Sequence, residues 1–172
     1  MDNKKRIIEN VRTSYGELAR DVASCCGERG GFASDSKVYD PKHIGKLPKE
    51  ALAASAGCGN PNAIGELGQG ETVVDFGSGG GIDCFLASNM VGENGNVIGV
   101  DMTPDMIDLA NKNKSKMGAK NVEFRLALID DTGIKSNSVD VIISNCVIVL
   151  APDKDNVFKE AVRILKSGGR MH

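Results

Sequence analysis

The sequence predicts an α/β protein with a doubly wound, mostly parallel sheet, and three observations support this fold class. A short apolar run from Val73 to Phe76 is typical of a buried strand. A glycine-rich turn follows this run, and apolar residues at helical spacing begin directly after the turn. From Glu71 onward the chain alternates strand and helix patterns, which is the order found in a parallel sheet covered on both faces.

The turn after the first predicted strand carries a glycine at every second position, namely Gly77, Gly79 and Gly81. Because glycine has no Cβ, a ligand can approach the backbone of this turn closely, and the helix start behind it should offer free N–H groups. A dinucleotide fingerprint begun at Gly77 needs a small residue where Ile82 stands. The turn therefore predicts a different nucleotide-like ligand, with a purely structural turn as the alternative.

Two acidic residues accompany the turn. Asp75 precedes Gly77 by two residues, and Asp101 ends the next apolar strand, 20 residues after Gly81. A carboxylate at that distance from a glycine turn is expected to bind a ribose. The alternative for Asp101 is a solvated strand end.

The remaining elements follow in chain order. Periodic apolar residues predict a helix from Lys4 to Val22, and an alanine-rich segment predicts a short helix from Lys49 to Ala56. Thr103 and Pro104 are typical of the N-cap and first position of a helix. The elements before residue 71 therefore differ in kind from the strand and helix alternation after it.

The second half of the core predicts two more strands and a last helix. Alternating residues from Phe124 to Leu128 indicate a third strand, and Val139 to Ser144 indicate a fourth. The last helix carries Phe158 and Val162 on its apolar face and is expected to end at the glycine pair 168–169. The three residues that remain can only begin a fifth strand, so we expect the C-terminal part of the domain to be missing.

The length of 172 residues indicates one sizeable core with a small appendage. We predict an N-terminal helical, cysteine-bearing appendage over residues 1–70. Residues 71–172 are predicted to form a Rossmann-like domain that is incomplete at its C-terminus.

Composition excludes several classes of function. A formal net charge of -2 with mixed signs gives no electrostatic footprint for nucleic acid or an anionic membrane surface. We see no membrane span or signal segment, and therefore expect a cytoplasmic protein without nucleic-acid or membrane partners. The five cysteines are expected mostly as thiols, and their spacing does not favour a structural zinc site.

The glycine turn resembles a motif of a known enzyme class. Asp75 followed by the three alternating glycines resembles motif I of the class I, Rossmann-like methyltransferases that use S-adenosylmethionine. Four further stretches narrow the resemblance to the arsenite methyltransferase family, over roughly residues 10 to 171. They are Gly57-Cys58-Gly59, Gly81-Ile82-Asp83-Cys84, Asp101-Met102-Thr103-Pro104 and Asn145-Cys146-Val147. This resemblance implies S-adenosylmethionine as the cofactor and arsenite as the methyl acceptor.

The resemblance also implies where the nucleoside part of the cofactor binds. Asp101 is expected to bind the ribose hydroxyls, and Met102 to lie against adenine. Ile129 and Asp130, which follow the third strand, are expected to border the adenine ring.

Other predicted cofactor residues belong to the methionine end or to the first helix. Asn145 follows the fourth strand and is expected near the methionine part. Tyr15 matches a family residue that folds over the cofactor, with an ordinary amphipathic-helix position as the alternative. The turn contributes the last four predicted cofactor residues, Asp75, Gly77, Gly79 and Gly81.

Cysteines suggest the acceptor. By the resemblance, Cys58 and Cys146 match two arsenic-binding and catalytic cysteines, and Cys25 or Cys26 matches a further N-terminal one. Cys26 is included in the predicted arsenic-binding set, although the loop leaves the choice open. The last member of the usual arsenic trio falls beyond residue 172. Thiolates suit arsenic(III), which is a soft centre, and a thiol reductant is an expected partner.

The alternatives are packing cysteines and other functions. A lone cysteine is more often a core residue than a ligand, and we assign Cys84 to packing. The competing functions are methyl transfer to a small organic acceptor and a non-catalytic module that binds the cofactor or a metalloid. An NAD-linked oxidoreductase is the least favoured, because Ile82 breaks the dinucleotide spacing.

Overall fold

The computed structural model of the chain describes residues 3–23, 47–54 and 67–172. Its α-helices are α1 (Asn3–Ala23), α2 (Lys49–Ala53), α3 (Ile82–Val91), α4 (Pro104–Met117) and α5 (Lys154–Ile164). Its strands are β1 (Thr72–Phe76), β2 (Asn96–Asp101), β3 (Val122–Leu126), β4 (Val139–Ser144) and β5 (Leu165–Met171). A 3₁₀ turn covers Ile148–Leu150. The predicted α/β fold class is confirmed.

Within the described residues the strands form one parallel sheet with the order β3-β2-β1-β4-β5. The strand β1 lies between β2 and β4, with Phe76 opposite both Val100 and Ser144. The strand order therefore reverses beside β1, and the carboxyl ends of β1 and β4 part there. In open α/β sheets this switch point is where ligands bind.

The sheet has an apolar core on each face. Helices α2 and α3 cover one face, where Phe85 and Val91 pack against Val73 and Val97. Helix α5 covers the other face, where Val157, Ala161 and Ile164 pack against Val74 and Ile142. Successive strand residues point to opposite faces, so the three central strands β2, β1 and β4 contribute to both cores. Helix α3 is buried on nearly every side, which a single apolar stripe does not predict.

The first helix packs on the outside of the α/β core. Ala19 of α1 is buried with Met106 and Leu109 of α4, and Arg20 forms an ion pair with Asp105. The division of the chain at residue 70 stays a prediction. No helix in the described ranges has the length and apolar character that a membrane span needs.

Two predicted boundaries are wrong. The third strand ends at Leu126, and Leu128 makes only an isolated bridge with Asp131. The glycine pair 168–169 does not end the last helix, because α5 stops at Ile164 and the pair lies inside β5. The register between β4 and β5 shifts around this pair, and Gly168 has a φ of 81°, so the glycines belong to an irregular strand.

Candidate functional site

A cleft lies at the carboxyl ends of β1, β2 and β4, and about 1060 Å³ of it, including the open solvent at its mouth, is free of protein atoms. It runs between the glycine turn, the loops after β2, β3 and β4, and helix α1. Nine residues of the predicted site line it: Tyr15, Gly77, Gly79, Asp101, Met102, Ile129, Asp130, Asn145 and Cys146. The fold therefore brings together side chains from five separate segments.

The glycine turn is held against β2 by its own backbone. The N–H groups of Gly77 and Ser78 both donate to the carbonyl of Val100, at 2.8 and 3.0 Å. The N–H of Gly79 donates to the Oδ2 carboxylate oxygen of Asp101 at 3.0 Å. These three amides of the turn are therefore paired within the protein, whereas the free N–H groups expected at the start of α3 stay a prediction.

The three glycines have different surroundings. A Cβ on Gly79 would meet nothing within 4 Å, so this glycine leaves open space in the cleft. A Cβ on Gly77 would lie 2.5 Å from Val147, and one on Gly81 would lie 2.7 Å from the ring of Phe124. All three have positive φ values. Gly81 does not line the cleft, and its missing side chain permits close packing instead.

Asp101 lines the cleft at the carboxyl end of β2. Its Oδ1 atom accepts a hydrogen bond from the Thr103 N–H at 2.8 Å, while Oδ2 accepts one from Gly79. Burial raises the pKa of Asp101, and the hydrogen bonds from the Thr103 and Gly79 amides oppose that rise. The carboxylate thus fixes the turn after β1 and the turn after β2 to each other at the point where both face the cleft.

Asp75 lies beneath the turn and does not line the cleft. It is only 2% exposed, and its Oδ2 atom accepts a hydrogen bond from the thiol of Cys84 at 3.3 Å. Burial raises its pKa well above the ordinary value, and the nearby charge of Asp83 raises it further. The thiol of Cys84 is itself fully buried, in line with the packing role predicted for it.

Asp83 and Ser78 line the cleft, although neither was in the predicted set. Asp83 lies in the first turn of α3, is 4% exposed, and accepts a 3.4 Å hydrogen bond from the Asn145 side-chain amide. An acidic residue in the first turn after a glycine-rich corner was the available signal. Since α3 is buried on nearly all sides, its apolar pattern gave no indication of which residues face the cleft.

Cys146 lies at the rim of the cleft, two residues after β4. It is exposed and has a φ of 59°, which is uncommon for a residue other than glycine. The other predicted arsenic ligands, Cys58 and Cys26, and the alternative Cys25 lie outside the described residues. Within the described ranges no group of three or more His, Cys, Asp or Glu side chains has the arrangement of a metal site.

The loop after β3 forms another wall, with Ile129 and Asp130 at the cleft. Its far end is held by Glu160 of α5, which accepts hydrogen bonds from both the N–H and the hydroxyl of Thr132. Hydrogen bonds from the Arg163 guanidinium and from Thr132 together lower the pKa of Glu160 to about 2. The wall is therefore anchored to the helix behind the sheet.

Helix α1 closes the cleft on its open side. Ile8, Val11 and Tyr15 line it, and the Arg12 guanidinium donates a hydrogen bond to the carbonyl of Met102 at 3.1 Å. Tyr15 therefore lies where it could contact a ligand, and its predicted place over the cofactor stays a prediction.

The charged side chains that line the cleft, among the described residues, are of one sign. Three carboxylates, those of Asp83, Asp101 and Asp130, line it, and no Lys, Arg or His is among its described lining residues. Such a cleft favours a ligand with positive charge over a polyphosphate.

Known proteins share this fold and much of this sequence. A family model described as a methyltransferase domain matches residues 67–172. The arsenite methyltransferase of Halobacterium salinarum is 44% identical over 95% of this chain and 45% of its own length. The arsenite methyltransferase of Homo sapiens is 36% identical over 96% of this chain and 46% of its own length. The chain thus spans about half the length of the curated relatives it matches.

A solved structure agrees with these relatives. The crystal structure of an arsenic(III) S-adenosylmethionine methyltransferase from Chlamydomonas reinhardtii superimposes with a TM-score of 0.70 and 38% identity, over 76% of this chain and 46% of that chain. The Rossmann-like fold of class I methyltransferases, predicted from the glycine turn, is confirmed. The chain therefore belongs to the methyltransferase domain family, and arsenite methyltransferases are among its relatives.

Proposed function

We propose that this chain binds S-adenosylmethionine in the cleft and directs its methyl group to arsenite held by cysteine thiolates. The observation that carries the proposal is the cleft itself. It has a glycine turn tied to Asp101 at one end, Cys146 at its rim, and only acidic charged side chains among its described lining residues. The names of the relatives support both the cofactor and the acceptor.

The residues present fit the cofactor. Asp101 would accept hydrogen bonds from the ribose hydroxyls, because its carboxylate lies at the end of β2 and faces the cleft. Met102 and Ile129 offer apolar contact to a purine, and Asp130 lies beside them. The space left open by Gly79 admits a ligand against the turn.

Charge favours this cofactor over a dinucleotide. S-adenosylmethionine carries a sulfonium and an ammonium against one carboxylate, whereas a dinucleotide carries a pyrophosphate. The cleft places three carboxylates and no basic side chain in its described lining, so it would repel a pyrophosphate. The oxidoreductase alternative is therefore disfavoured by charge as well as by the spacing at Ile82.

The proposal that arsenic(III) is the methyl acceptor depends on Cys146. Its exposed thiol is at the cleft rim, in the loop that follows β4. We propose that Cys146, with Cys58 and Cys26, holds arsenic(III) through sulfur, since thiolates are the soft ligands of a protein. Arsenic held in this way keeps a lone pair that can act as the nucleophile, so no general base is needed.

When bound, S-adenosylmethionine supplies an electrophilic methyl group on a positively charged sulfur. The task of the chain is then to hold the two reactants in line and exclude water, for which positioning can contribute about 7–11 kcal/mol in favourable cases. Asn145 and Cys146 are adjacent, so the loop after β4 would contact both reactants.

The proposal extends to the location of the protein, its partners and the roles of the two parts of the chain. We propose a cytoplasmic location, where a thiol reductant keeps the cysteines reduced, and no nucleic-acid or membrane partner. We also propose that residues 1–70 act as an appendage that supplies Tyr15 and Cys58 to the Rossmann-like domain of residues 71–172.

Calorimetry with S-adenosylmethionine and then with arsenite tests the proposal. We expect cofactor binding by the wild-type chain, and we expect Cys146→Ser to retain it while weakening arsenite binding. Cys84→Ala is the matched control, since Cys84 lies outside the cleft and should leave both affinities unchanged. A folded chain that binds no S-adenosylmethionine would contradict the proposal. Arsenite binding that survives Cys146→Ser and Cys58→Ser would favour a small organic acceptor instead.

A further inference from the structure

Strand β3 forms one edge of the sheet, and within the described residues it pairs only with β2. The Asn121 carbonyl and the Ala127 N–H, one on each side of β3, both form hydrogen bonds with β2. Backbone groups alternate in direction along a strand, so the odd-numbered residues of β3 face β2. The N–H and C=O groups of Val122, Phe124 and Leu126 therefore point outward, to the edge of the sheet.

Two side chains of opposite charge lie on one face of this edge. Glu123 and Arg125 are two residues apart and form an ion pair, with 2.6 Å between Glu123 Oε1 and Arg125 Nε. Their side chains are 51% and 35% exposed. The hydrogen bond from Arg125 lowers the pKa of Glu123, so this carboxyl is charged at neutral pH. The edge thus carries one negative and one positive side chain, with Phe124 between them.

An exposed apolar side chain ends the same strand. Leu126 is 55% exposed and is one of four large hydrophobic residues with exposed side chains in the described ranges. Charged side chains on an edge strand usually prevent a second strand from pairing there, because like charges would meet. The order of the charges on β3 has a different consequence, since the strand is complementary to itself.

An antiparallel second copy of β3 fits this edge in a single register. Pairing centred on Phe124 places Val122 opposite Leu126, so all the outward backbone groups meet in hydrogen-bonded pairs. In the same register Glu123 lies opposite Arg125 twice, in the pairs where cross-strand side chains are closest. A shift of two residues in either direction would bring Glu123 opposite Glu123 or Arg125 opposite Arg125, which is unfavourable.

We propose that β3 binds β3 of a second copy of this chain, antiparallel and about a two-fold axis at Phe124. Two five-stranded sheets then join edge to edge, and Leu126 is covered by the second copy. Both copies use the same surface, so the assembly closes as a dimer. The inference does not depend on the proposed function, because none of the residues of β3 lines the cleft.

Sedimentation of the wild-type chain over a range of concentrations tests the pairing. The contact between two short strands is small, so we expect a reversible dimer with a Kd of about 10–100 μM. A wild-type chain that stays monomeric up to about 1 mM would overturn the proposal.

Charge variants test the surface and the register together. Glu123→Arg gives the edge two positive charges, and Arg125→Glu gives it two negative charges. Each variant alone should dimerise at least about 10-fold more weakly than the wild type. An equimolar mixture places opposite charges across the two strands again, so the two variants should form a heterodimer with about the wild-type Kd.

A merely structural role of the ion pair does not predict this recovery, because neither variant contains the pair within its own chain. A mixture that associates no more tightly than the single variants would contradict the proposal. The double variant Glu123→Arg with Arg125→Glu exchanges the charges within one chain and should dimerise like the wild type.

Two further variants separate β3 from other surfaces. Leu126→Pro removes an outward N–H and leaves the bonds to β2 in place, so it should be monomeric and still folded by circular dichroism. Val162→Lys changes the exposed apolar side of α5 and should keep the wild-type Kd within about twofold. Dimers that are lost in Val162→Lys and kept in both charge variants would place the interface on α5 and overturn the proposal. The mixing experiment does not require that Leu126→Pro folds.

Discussion

Asp75 and Asp101 are aspartates of neighbouring parallel strands, and both are predicted to bind the cofactor, Asp101 through the ribose hydroxyls and Asp75 as part of the glycine turn. Asp101 lines the cleft and accepts hydrogen bonds from two backbone amides. Asp75 is 2% exposed beneath the glycine turn, and its side chain accepts a hydrogen bond from the thiol of Cys84. Two similar carboxylates thus take different places, one in the floor of the site and one in the layer below it.

Position along the strand accounts for the difference. Asp75 is followed by Phe76 within β1, and by alternation it shares its face with Val73, which packs under α3. Asp101 is the last residue of β2, so no further strand residue follows it to cover its side chain. A carboxylate one step inside a parallel strand is buried, whereas one at the carboxyl end reaches the ligand edge.

Asp101→Ala should give the largest loss of affinity. The substitution removes the proposed ribose contact and leaves the Gly79 and Thr103 amides without an acceptor, each costing about 1–3 kcal/mol. We expect affinity for S-adenosylmethionine to fall by about 100-fold or more, measured by calorimetry. Asp108→Ala, which removes an exposed carboxylate of α4 outside the cleft, is the control. A fall of less than about fivefold would place the nucleoside elsewhere in the cleft.

Gly79 and Gly81 of the turn extend the comparison from carboxylates to the backbone. Gly79→Ala would place a methyl group in the open cleft, so we expect affinity for S-adenosylmethionine to fall about 10-fold with a stability cost of about 1 kcal/mol from its positive φ. Gly81→Ala would collide with the rings of Phe124 and Phe85, and should cost about 2–3 kcal/mol of unfolding free energy.

Urea unfolding and calorimetry on the same two variants separate these effects. The comparison requires that Gly79→Ala lose more affinity than stability and that Gly81→Ala do the reverse. Equal losses of both quantities in the two variants would mean that the turn acts as one unit.

Much of this site could be predicted from the sequence because its elements are local. Apolar runs and alternating glycines indicated β1, the turn and α3, and chain spacing indicated Asp101. Whether Asp75 is buried depends on which helix covers its face of the sheet. The spacing of apolar residues along the sequence does not show this. The glycine pair 168–169 was misassigned because glycine suits both a helix end and an irregular strand.

Glu160 tests whether hydrogen-bond partners determine how a buried carboxylate contributes to stability at different pH values. Its pKa is lowered to about 2 by hydrogen bonds from Arg163 and Thr132, so its stabilising contribution is complete above the unfolded value near 4.5 and is lost as pH falls towards 2. We expect Glu160→Gln to lower the unfolding free energy by about 1–2 kcal/mol at pH 7. The difference in unfolding free energy between the wild type and the variant should be smaller at pH 3. Urea unfolding at both pH values measures it. Glu123→Gln, at an exposed ion pair, should change stability by less than about 0.5 kcal/mol.

Asp75→Asn should have the smallest effect and the opposite pH dependence. Burial and the neighbouring Asp83 raise the pKa of Asp75, so its contribution to stability is complete below the unfolded value of 3.8 and is lost as pH rises through the raised folded value. The wild-type melting temperature should therefore fall as pH rises from about 4, and Asp75→Asn, which stays neutral, should remove that part of the fall.

The other groups that face Asp75 are Cys84 and Asp101, and they stay in place in the Asp75→Asn variant. Because asparagine keeps an oxygen that can accept from the Cys84 thiol, stability at pH 4 should change by less than about 1 kcal/mol and affinity for S-adenosylmethionine by less than about twofold. Thermal melts from pH 4 to 8 and calorimetry at pH 7 measure the two quantities. If Asp75→Asn lost as much affinity as Asp101→Ala at unchanged stability, Asp75 would contact the ligand, and burial within the strand would not separate the two carboxylates.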